Sequence, residues 1–122
     1  MSGLSDFSRI RSSNPQPGRE DWVWVMLDGT KRQCGAGTQA QLFIDDTGVE
    51  TVDDQGIAEG EGVHDAYIAH DESNGYDYVI TLGHKYHVNG TAVSDRLRLR
   101  VNDAKPLTTP EADRIPDGAQ IN

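Results

Sequence analysis

Asp65, His84 and Asp95 are the residues of this 122-residue chain that simple hairpin geometry best brings together for chemistry. If Asn74-Gly75 is a two-residue turn, Asp65 lies opposite His84; a second such turn at Asn89-Gly90 sets His84 opposite Asp95. A histidine between two carboxylates has a raised pKa and an oriented ring, which suits a general base or a metal or small-ligand site. No serine or cysteine nucleophile accompanies the row. The first expectation is therefore a hydrogen-bonded cluster at a sheet rim, with ligand or metal binding second and catalysis last. No metal or other cofactor is assigned.

Two further stretches carry chemistry. The oxygen-rich run from Asp71 to Asp77 resembles a cation loop, and the same two-residue register sets Glu72 opposite Asp77. It lacks the closing glutamate of a calcium loop, so a solvated turn is expected. Trp22, Trp24 and Met26 share one face of a strand whose other face carries Val23, Val25 and Leu27. Such a strand is buried on both sides within the chain, or meets a partner, or offers an aromatic platform to a sugar. Arg96, Arg98 and Arg100 alternate in the same way and predict a positive stripe. Trp22, Trp24, Met26, Arg96, Arg98 and Arg100 are the candidate interface residues.

The elements that would position these residues are strands. Turn signals at Asp28-Gly29, Asp46-Thr47-Gly48, Asn74-Gly75 and Asn89-Gly90 separate apolar or alternating runs, and no window shows a helical period. The pattern predicts an all-β fold: an antiparallel sandwich or barrel of about seven or eight strands, built as a meander of hairpins. Residues 53–62 read as an acidic, glycine-rich surface loop. All five prolines lie within residues 1–20 or 102–122. These limits predict an N-terminal extended arm (1–20), a β domain (21–101) and a C-terminal extended arm (102–122). No internal sequence repeat of useful length is apparent.

Composition narrows the function. The net charge is −9, and residues 33–84 hold 11 of the 20 acids without one Lys or Arg. That balance argues against nucleic-acid binding. No apolar run is long enough to cross a bilayer as a helix, and no secretion signal is visible, so a virion or cytoplasmic location is expected. The single Cys34 excludes an internal disulfide. No GxxxxGK[ST], HExxH, GxSxG or CxxC signature occurs, and no enzymatic activity is expected. The expected function is a structural or interaction protein that assembles with itself or a larger shell, as a capsid decoration or tail adaptor subunit does. The alternatives are a small-ligand or carbohydrate-binding β domain, and an acidic immunity or inhibitor protein that occludes a basic target.

Overall fold

A computed structural model describes residues 5–122. The fold is β-rich, with two open four-stranded sheets. The first contains β1 (Arg9–Ser12), β2 (Trp24–Leu27), β3 (Thr30–Gln33) and β4 (Val49–Val52), in the order β3-β2-β1-β4. The second contains β5 (Tyr67–Asp71), β6 (Tyr76–Thr81), β7 (His84–His87) and β8 (Lys105–Leu107), in the order β7-β6-β5-β8. Both sheets are mixed rather than antiparallel, because β4 runs parallel to β1 and β8 runs parallel to β5. A short helix supplies each crossover: α1 (Ala36–Leu42) before β4 and α2 (Thr91–Leu97) before β8. A third helix, α3 (Thr109–Arg114), follows β8. Among the described residues, no helix is long and apolar enough to cross a membrane.

The two sheets are copies of one unit. Each runs strand, strand, strand, helix, strand with the same order and the same parallel pair. Pairing registers align Ile10 with Ala69, Trp24 with Tyr78, Met26 with Ile80 and Lys31 with Lys85. The correspondence continues past the named strands. Lys31 N donates to Ala58 O and Gly60 N to Lys31 O; in the second half Lys85 N donates to Pro116 O and Gly118 N to Lys85 O. The halves meet about a local two-fold relation, where Ile44 N donates to Arg98 O and Arg100 N to Leu42 O, both at 2.8 Å. The largest apolar cluster draws on both units, including Val25, Leu27, Phe43, Ile68, Val79 and Leu99.

Several expectations change. The Asp28-Gly29 turn forms as read, with φ of 56° and 75° and Leu27 paired to Thr30. The equivalent turn in the second unit is Leu82-Gly83, with φ of 52° and 79°, which leucine conceals in the sequence. Asn89-Gly90 is not a hairpin; Gly90, at φ 90°, precedes α2. Asp46-Thr47-Gly48 leads into β4, which pairs with β1 instead of folding back on residues 42–44. Both helices have seven residues, too few for an apolar stripe to recur. Within the segments expected to be arms, β1 is an inner strand and Ile121 is fully buried. The prolines sit where no donor is needed: Pro106 is in the edge strand β8, Pro110 opens α3, and Pro116 contributes its carbonyl.

Candidate functional site

The Asp65, His84 and Asp95 row does not form. The β5–β6 register pairs Tyr67 with Ile80, so the turn spans residues 72–75 and the alignment slips by two residues. His84 lies opposite Thr81, Asp65 precedes β5 at φ 54°, and Asp95 belongs to α2. The arginine stripe is also absent, because a helix replaces the strand. Arg96 is in α2 and donates to Asn122 O, Arg98 caps that helix and pairs with Asp45, and Arg100 donates to Phe43 O. Asp77 faces His70, whose Nδ1 lies 2.8 Å from Asp77 Oδ1, rather than Glu72. Asp71 accepts hydrogen bonds from the Ser73 amide and hydroxyl. Among the described residues, no group of three or more His, Cys, Asp or Glu side chains is placed to hold a metal ion.

Trp24 and Met26 are buried within the chain, on the side of β2 away from the shared core. There, with Ile10, they form an apolar patch against which Trp22, Val52 and Ile57 pack. The second unit has the matching patch: Ala69, Tyr78 and Ile80, with Leu107 and Ile115. Each patch has a lysine over its aromatic ring, Lys31 Nζ at 4.6 Å from Trp24 and Lys85 Nζ at 5.8 Å from Tyr78. Trp24 and Met26, named as candidate interface residues, are 3% and 4% exposed in the chain. Trp22 is half-buried, with the Arg19 guanidinium 4.3 Å from its ring centre.

The covers of the two patches differ. In the second unit α3 lies on the patch through Ala112, with Ile115 packed beside it. Its carbonyls take up the lysine: Lys85 Nζ donates to Ala112 O at 3.0 Å and Ile115 O at 2.6 Å, and pairs with Asp117 at 3.0 Å. All three ammonium hydrogens have acceptors. In the first unit residues 13–23 form a longer β1–β2 connection than the 72–75 turn, and residues 53–57 replace the helix. Between these two segments lies a cavity of about 340 Å³, lined by Ser12, Gln16, Trp24, Lys31, Asp54 and Gln55 among others. Here, among the described residues, Lys31 Nζ has one acceptor, Asp54 Oδ2 at 2.5 Å. Two of its three hydrogens have no acceptor among the described residues.

The rest of the lining is ordered by local bonds. The Ser12 hydroxyl donates to Asp54 Oδ1 at 2.7 Å and accepts from the Asn14 amide. Burial raises the Asp54 pKa, but hydrogen bonds from Lys31 and Ser12 and the lysine charge outweigh it and leave the carboxyl below its usual value. Such a carboxylate is a weak base toward Ser12. Arg19 is tied to Glu59 at 3.0 Å. The spacing of Trp22 and Trp24 marked this face in the sequence. Lys31, Asp54 and Ser12 carried no motif; only their long-range pairing reveals them. Comparison with protein-family models, curated proteins and solved structures returned no match.

Proposed function

We propose that the chain is a binding protein whose first-unit cavity takes a small polar ligand. The observation that carries this reading is the contrast between the two lysines. Equivalent positions place both over an aromatic ring, yet Lys85 is held by two carbonyls at α3 and by Asp117, whereas Lys31 borders a cavity and, among the described residues, is bonded to Asp54 alone. Its volume lies within the roughly 300–1,000 Å³ of small-molecule sites. A fragment screen by ¹H–¹⁵N NMR on the full chain tests it. The expected hits give saturable shifts at Ser12, Trp24, Lys31 and Gln55; hits confined to the Tyr78 and Lys85 side, or none, overturn the reading.

A second reading, association with a basic protein partner, is favoured by Asp46, Glu50, Asp53, Glu61, Asp65 and Glu72. All six are exposed and make no ion pair among the described residues. Assembly of this kind is steeply salt-sensitive. Light scattering at low and high salt checks self-association directly: a salt-independent monomer counts against assembly of copies and leaves a different basic partner as the form of this reading.

A further inference from the structure

We infer that the first-unit cavity takes a neutral, hydroxyl-rich ligand of monosaccharide size, with Lys31 and Asp54 acting as an adjacent donor and acceptor. This rests on the ligand-binding reading above and adds the chemical class. Every hydroxyl is both a donor and an acceptor. Lys31 Nζ and Asp54 Oδ2 are 2.5 Å apart, so neighbouring hydroxyls on one ring meet an N–H donor and a carboxylate acceptor together. The same pairing disfavours anions, because a second negative group at Lys31 Nζ comes up against Asp54. Arg19 does not relieve this, since Glu59 already neutralises it. A cationic guest at Asp54 comes up against the Lys31 ammonium in the same way.

The remaining lining fits the same class. Ile57, half-buried, borders the cavity with apolar surface suited to the C–H face of a sugar ring, while the almost fully buried Trp24 ring lies under the Lys31 ammonium. The exposed amide side chains of Asn14, Gln16 and Gln55 add paired donors and acceptors without charge. The second unit lacks all of this, because Ala112 and the carbonyls of α3 occupy the corresponding space.

The test is an NMR titration of the full chain with glucose, galactose, mannose and N-acetylglucosamine, run beside inorganic phosphate and citrate. At least one sugar is expected to give saturable shifts of the Trp24 indole N–H and the Gln55 and Gly56 amides. Gln55→Ala, at an exposed position, is expected to keep the fold and weaken that sugar by about threefold to tenfold, the effect of one hydrogen bond. Saturation by phosphate or citrate with no response to sugars overturns the ligand class and leaves the cavity a binding site. No saturation by any of the six overturns the class as well, and the fragment screen then decides the binding reading separately.

Discussion

Lys31 and Lys85 show how one side chain takes two roles from its surroundings. Both project from equivalent strand positions over aromatic rings, and only the acceptors supplied by the chain beyond the sheet differ. The same comparison exposes Thr81, which occupies the position of Leu27 in the first unit. Its hydroxyl is buried without a hydrogen-bond partner among the described residues. Thr81→Val removes that unsatisfied group at nearly constant shape and is expected to stabilise the protein by about 1 kcal/mol. An unchanged or lower urea midpoint would show that the hydroxyl is satisfied in solution. Gly118 and Gly60 form another matched pair. A Cβ at Gly118 collides with the Tyr86 ring, whereas one at Gly60 meets the far end of the Arg32 side chain at 2.9 Å. Gly118→Ala is therefore expected to cost about 1–3 kcal/mol and Gly60→Ala less, compared by thermal melts.

At the scale of elements, the covers over the two outer patches distinguish the units. α3 has six residues, so its stability depends on its cap and on the patch beneath it. The Thr108 side chain accepts from the Glu111 amide while Glu111 reaches back to the Thr108 amide, a complete capping box. Thr108→Ala is expected to cost about 1 kcal/mol and to raise hydrogen exchange in α3 and at Lys85, leaving Trp24 unperturbed. Spread of the effect to the first unit would show that the covers are coupled. How legible each element was depended on how local its cause is. The type I′ turn at Asp28-Gly29 could be read because those two residues alone favour positive φ. Its twin at Leu82-Gly83 could not, because Leu82 accepts φ 52° while packing against the shared core. Val93 and Leu97 do face that core four residues apart, but α2 is too short for the spacing to recur.

At the scale of the molecule, the shared core makes the two units depend on each other. Leu99 is 1% exposed, and its backbone bridges to Phe43 across the boundary between the units. Leu99→Ala is expected to cost about 2–5 kcal/mol. Tryptophan fluorescence from the first unit and hydrogen exchange in β6 should lose stability together; separate transitions would make the units independent. Acid should also act on the whole molecule. Hydrogen bonds from Arg98 and Thr47 hold Asp45 below its usual pKa, and Ser73 and Thr108 do the same for Asp71 and Glu111. Asp54 is lowered too, despite burial. A lowered folded pKa means the unfolded chain binds protons first. This stability is complete above the ordinary carboxylate range and is lost as pH falls below about 4. Urea midpoints from pH 7 to 2.5 should fall in that window, and Asp45→Asn should flatten part of the decline.

By itself the sequence determined the β-rich class, the acidic balance, the Asp28-Gly29 hairpin and the face shared by Trp22 and Trp24. Each follows from side-chain alternation, charge or the φ preference of neighbouring residues. Tertiary structure alone decided the doubling of the unit, the parallel pairs and the placement of β1 and Ile121 along the sheets. It also brought Ser12, Lys31 and Asp54 to one cavity. Parallel pairing joins strands separated by whole hairpins and helices, and equivalent positions here hold different residues, such as Trp24 and Tyr78. Backbone hydrogen bonding preserves the repeat across those substitutions, because it depends on main-chain geometry that many side chains share.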